Sequence, residues 1–148
     1  MIMIKRLAAS AALVTLVLTA PGAVADDHPY TEGPVVNIAS IRTEYGKFDD
    51  YMNYLGSTWK KSQEAAKKAG YILDYKILLA EPRTSTEPDI FLVITYKNWA
   101  ALDDALAKND AITKAVEGTL ESANKAAVDR GKMRTVLGSQ TVQELMLK

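Results

Sequence analysis

Apolar positions along this chain form four short runs and two longer periodic stretches. Residues 35–43 are apolar and β-branched and predict a first strand. Thr43-Glu44-Tyr45-Gly46 reads as a turn, and a helix opens near Lys47. Phe48, Tyr51, Leu55, Trp59, Ser62, Ala66 and Ala69 recur at three-to-four spacing and mark one buried stripe. Asp49 and Asp50 in its first turn, and Lys67 and Lys68 in its last, complement the helix dipole. Gly70 supplies the stop.

Residues 71–80 alternate as a second strand. Tyr71, Leu73, Tyr75, Ile77 and Leu79 share one face, and Ile72, Asp74, Lys76, Leu78 and Ala80 the other. Glu81 to Pro88 is a proline-bounded loop. Residues 90–97 are apolar on both faces, so this third strand is expected at the centre of a sheet, covered on both sides. Asn98 is a helix cap, with Trp99, Leu102 and Leu106 as the buried edge. Breaks are expected near Asn109 and Gly118, then a helix over 119–137 stopped by Gly138, and a last strand over 141–147.

The predicted order is β-α-β-β-α-β, an α+β class chain with a ferredoxin-like split βαβ arrangement and an antiparallel sheet. Helices cover one face. The other carries Ile72, Leu78 and part of strand three. A half-apolar open face calls for a partner, and pairing two such sheets about a two-fold axis predicts a homodimer.

The amino terminus changes the picture of where this domain works. Lys5 and Arg6 precede an apolar run from Leu7 to Leu18, then Pro21-Gly22 and Ala23-Val24-Ala25. This is the pattern of a secretory signal peptide cleaved after residue 25. The run is about 12 residues, short of the roughly 20 that span a bilayer. The expectation is a periplasmic or secreted bacterial protein with no stable membrane insertion. A flexible arm over 26–34 and one domain over 35–148 follow.

The leader holds two of the chain's 18 basic residues and none of its 18 acidic ones, so the remainder is slightly acidic. Nucleic acid is a poor fit to that balance. The chain has no cysteine, which removes disulfides, thiolate metal sites and lipoprotein attachment. No Ser-His-Asp set, phosphate loop or dinucleotide fingerprint is present.

The segments YGKFDDYMNYLGSTWKKSQEAAKKAGYILDYKILLAEPR, DIFLVITYKNWAALDD and AAVDRGKMRTVLGSQTVQELMLK resemble the dimeric α/β-barrel superfamily, and within it small exported bacterial members. The resemblance implies two ferredoxin-like subunits closing a shared barrel, with a ligand held between sheet and helices. On this chain that cleft would draw on Asn37, Tyr51, Trp59 and Tyr75. The superfamily includes cofactor-free monooxygenases, isomerase-type lactone chemistry and haem-degrading enzymes. The haem-degrading members share an asparagine on strand one and a tryptophan, but ligate iron through histidine. Here the one histidine is His28, on the arm, so no haem or other cofactor is expected. Three functions stay open: a binder of a small apolar or aromatic molecule, a cofactor-independent monooxygenase or isomerase, and a structural protein with a filled barrel.

Asn37 offers a strand amide for a substrate oxygen, or a sheet amide satisfied by its neighbours. Tyr51, Tyr54, Trp59, Tyr71 and Tyr75 fit an aromatic pocket or ordinary core packing. Asp74 and Lys76 fit an acid–base pair or a salt bridge. Asp49-Asp50 and Asp103-Asp104 do not chelate, since adjacent helical residues face apart. Lys60-Lys61 and Lys67-Lys68 form a solvated face, and Arg130 and Arg134 fit an anion site or carboxylate pairing. After cleavage the chain would start Asp26-Asp27-His28, an amino-terminal nitrogen set suited to Cu(II) or Ni(II).

Overall fold

The computed structural model of the chain describes residues 28–148. The expected leader, and Asp26 and Asp27 of the expected metal site, lie outside them. Strand β1 (Tyr30–Thr43) leads into α1 (Phe48–Tyr54), a π-helical turn (Leu55–Trp59) and α2 (Lys60–Lys68) without a break in the rod. Strands β2 (Asp74–Leu79) and β3 (Ile90–Tyr96) follow. A 3-10 turn (Trp99–Leu102), α3 (Ala105–Glu117), α4 (Leu120–Gly131) and β4 (Arg134–Leu147) complete the chain. The four strands form one antiparallel sheet in the order β2-β3-β1-β4. The α+β class, the antiparallel sheet and the central place of the third strand are as the hydrophobic pattern predicts.

Register fixes which side chains meet the helices. Ile41, Ala39, Ile90, Leu92, Tyr75 and Ile77 point to the helix side and pack with Tyr51, Leu55 and Trp59. Tyr51 and Leu55 are fully buried. The residues of this stripe step by four. In an α-helix each such step over-rotates by about 40°, and the wider π turn takes up the drift where Leu55 and Trp59 enter the core. The stripe therefore stays aimed at the sheet for its whole length.

Several boundaries differ from expectation, for local physical reasons. Strand β1 begins at Tyr30, so within the arm expected over 26–34 the residues Tyr30, Thr31 and Glu32 pair with the end of β4. The register shift between Glu32 and Val35 is a bulge that accommodates Gly33 and Pro34 within the strand. Strand β4 begins at Arg134 rather than 141. Gly131 ends α4, and β-branched Thr135 and Val136 favour extended backbone over the longer helix expected. The expected break at Asn109 is absent. The chain instead breaks before α3, where Asp104 takes a left-handed φ of 55°, while the break at Gly118, φ 84°, falls where expected. The left-handed Asp104 resets the helical phase, so Leu106 is turned out and 78% exposed; Trp99, on the preceding 3-10 turn, is 49% exposed, against the buried edge expected. Ile72 also departs. It precedes β2 and is buried on the helix side instead of standing on the open face.

The open face carries Leu78, Phe91, Val93, Val36, Ile38 and Val142 by register. Leu78 is 47% exposed. Edge strand β4 is exposed along nearly all of its 14 residues.

Truncating the centre of the helix stripe tests this account. Leu55→Ala is expected to cost about 2–5 kcal/mol, through lost burial plus a residual cavity. Urea unfolding measures it, and a cost below about 1 kcal/mol would place the core elsewhere.

Candidate functional site

A cavity of about 190 Å³ lies between α2, α3 and the β3 end of the sheet. The chemistry of its wall comes from two tyrosines, a group of aliphatic side chains and a few polar groups. Ile94 and Tyr96 form its floor, because even positions of β3 face the helices. Tyr71 and Ile72 close one side, reaching in from the segment between α2 and β2. Leu102 and Ile112 close the other. Small residues Ser62 and Ala66 on α2 leave the space that larger side chains would fill.

Polar groups are interspersed among these side chains. Lys108 Nζ donates to the carbonyls of Ala101 (3.0 Å) and Asp103 (2.5 Å), and stands 5.8 Å from the Tyr71 ring centre. It therefore ties the 3-10 turn to α3 and presents a cation beside an aromatic wall. The side chains of Gln63 and Asn109 also line the space, and neither hydrogen-bonds another described residue. Burial raises the Tyr96 phenol above its ordinary value, so it stays a neutral donor at physiological pH. The wall thus combines aliphatic side chains and two tyrosine rings with the polar groups of Ser62, Gln63, Lys108, Asn109 and Thr113, a mixture a small-molecule pocket can use.

This cavity sits in the layer where the sequence places a ligand, but other residues build it. Tyr51 and Trp59 belong to the core. Trp59 meets the Tyr75 ring edge-on at 5.3 Å, and Tyr75 donates its hydroxyl to Glu64 at 2.5 Å. Asn37 stands apart from these three. Its Nδ2 donates to Thr141 Oγ1 (2.9 Å) and Ser139 Oγ (3.0 Å), tying β1 to β4. The signal that would have found the cavity is the α3 face of Ala105, Lys108, Asn109, Ile112 and Thr113, at three-to-four spacing once the helix is phased from Ala105.

Asp74 binds Lys67 (2.9 Å), which holds its carboxyl below the usual range, and it does not pair with Lys76. Asp50 binds Lys47 (2.8 Å). Asp103 closes the 3-10 turn, and Asp104 precedes α3 without a capping bond. Lys60, Lys61 and Lys68 are exposed. His28 is exposed and its ring stacks on Tyr30 at 5.2 Å. Among the described residues no group of three or more His, Cys, Asp or Glu is placed to hold a metal ion.

A second polar cluster lies at the other end of the sheet, where Arg134 pairs with Thr43. Tyr51 and Tyr54 stack at 5.9 Å between ring centres. Arg134 stands 5.5 Å from the Tyr51 ring centre and Arg130 stands 5.1 Å from that of Tyr54. Burial pushes the Tyr51 phenol up to about 12, against the opposing pull of the Arg134 guanidinium. Burial likewise raises Tyr54, against Arg130.

No family model matches this chain, and no curated protein matches it. Among solved structures it is similar to the crystal structure of HapK from Hahella chejuensis, with a TM-score of 0.51. The two are 12% identical, and the match covers 74% of this chain and 91% of that one. At this identity the likeness is one of fold.

Alkaline titration checks the environment of Tyr51. An unfolded phenol ionises near pH 10, and the folded one only near 12. The neutral form is favoured by folding, so this contribution to stability is intact below about pH 10 and is lost as pH rises toward 12. Tyr51→Phe is expected to reduce that alkaline loss in urea unfolding at pH 9 to 11. An unchanged slope would contradict it.

Proposed function

We propose that this is an exported protein that binds one small apolar or aromatic molecule in the cavity between α2, α3 and β3. The observation that carries this reading is the cavity wall itself: Tyr71, Tyr96, Ile94 and Ile112 around an apolar space, with Lys108, Gln63 and Asn109 as polar tips. Its volume is somewhat above the roughly 150 Å³ of an engineered apolar cavity that takes benzene, so a single-ring molecule fits. A ring would stack on the tyrosine faces, and a polar substituent would meet the amides or Lys108.

The leader pattern at 1–25 supports export, and among the described residues no helix is long and apolar enough to cross a membrane. The apolar open face and the long exposed edge of β4 support a homodimer, in the dimeric α/β-barrel manner that the quoted sequence segments resemble. Two sheets stacked through Leu78, Phe91 and Val142 would cover these side chains and leave each cavity on its own helix side.

Two measurements test the proposal. In a two-dimensional amide NMR titration with phenol, saturable shifts are expected at Ala101, Ile112 and Thr113. Ala66→Leu fills part of the space and is expected to weaken binding by about tenfold or more, while leaving stability within about 1 kcal/mol. Absence of shifts at these amides would overturn the binding reading. Sedimentation of the wild type is expected to show a dimer that Leu78→Lys converts to a monomer, because a charge on a buried face has no partner. A monomeric wild type would contradict the dimer.

A further inference from the structure

Buried polar side-chain atoms are almost always hydrogen-bonded, and each one left without a partner costs about 1–3 kcal/mol. Three such atoms occur among the described residues: Tyr51 Oη, Arg130 Nη1 and Arg134 Nε. All three belong to the one cluster beside the carboxy-terminal end of β1. Chance scatter would not gather them there, on side chains that touch through the stacked Tyr51 and Tyr54 rings.

Neither guanidinium hydrogen-bonds a carboxylate. Glu117 stands 3.8 Å from Arg130 Nη1, too far to accept a hydrogen bond, and both side chains are largely buried. Arg134 has no carboxylate within ion-pairing distance among the described residues. Asp89 supplies negative charge near Tyr51, but its oxygens accept from the Thr43 amide (3.0 Å) and from the Thr43 hydroxyl rather than from an arginine. The tyrosine rings satisfy the flat faces of the two guanidinium groups. They do nothing for the N–H groups, which point outward in the guanidinium plane and need acceptors there.

We infer that the Tyr51–Arg130–Arg134 cluster is a binding site for a small oxyanion, a carboxylate or a phosphate. Such an anion is acceptor-only, which matches three orphan donors gathered in one cluster. The arginines supply charge and in-plane donors, and the Tyr51 hydroxyl supplies a neutral donor. The site is separate from the apolar cavity, which lies at the opposite end of the sheet where Val35 pairs with Tyr96. It therefore stands or falls independently of the ligand proposed there.

The test follows the arginine side-chain Nε–Hε signals of ¹⁵N-labelled protein during titration with inorganic phosphate, and separately with acetate, at constant ionic strength. Arg83, 88% exposed, is the internal control for unspecific ion effects. Saturable shifts of the Arg130 and Arg134 signals beyond those of Arg83, with either anion, support the site, and the anion that saturates identifies the class. Tyr51→Phe keeps the ring and removes only the orphan hydroxyl, so it folds as the wild type does and is expected to bind about tenfold more weakly. Arg134→Lys keeps the charge but loses the in-plane donors, and is expected to bind at least about tenfold more weakly. Shifts no larger than those of Arg83 with both anions, or undiminished binding by both variants, would overturn the inference.

Discussion

The whole arrangement depends on one contact: the Tyr51–Leu55–Trp59 stripe of the first helical rod pressed onto Ile41, Ile90 and Leu92 of the two central strands. It brings together residues far apart in the chain, and it fixes the rod's direction across the sheet. The π turn at Leu55–Trp59 keeps the stripe in phase. Past Trp59 the rod presents Ser62 and Ala66, which are too small to fill the layer beneath them. Helix α3 lies alongside at that end, clamped to the 3-10 turn through Lys108. The same rod thus makes a tight core at one end of the sheet and leaves a cavity at the other.

Much of this was legible in the chain. The four strands and the first helix follow from alternation and from the three-to-four stripe, because burial on one face imposes those periods. The central strand is the one apolar on both faces, and the sheet order agrees. Element ends were less legible. The bulge at Gly33 and Pro34 lets β1 start early, and β4 extends back to Arg134 because pairing with β1 along its full length outweighs helix propensity at Met133–Leu137. These are tertiary effects that local pattern does not carry.

The candidate site was half legible. Its layer, between sheet and helices, followed from the resemblance, but Asn37, Tyr51, Trp59 and Tyr75 took other roles in strand pairing, core and helix contact. The phase of α3 decides which side chains reach the cavity, and that phase depends on the left-handed residue Asp104, a backbone feature with no strong sequence mark. The arginine pair was named from the sequence, but its tyrosine partners were not. Arg130 and Arg134 read as neighbours one turn apart on a single helix. They actually stand on α4 and β4, and each meets a different tyrosine of the stacked pair. The likeness to the HapK structure supports the fold and leaves the chemistry to be argued from these residues alone.

Native mass spectrometry of the protein recovered from its own host tests the central claim most directly. Each folded chain is expected to carry the extra mass of one single-ring molecule, lost together with the signal on filling the cavity by Ala66→Leu. Chains at bare polypeptide mass, in a protein that also fails to take up phenol, would contradict the account.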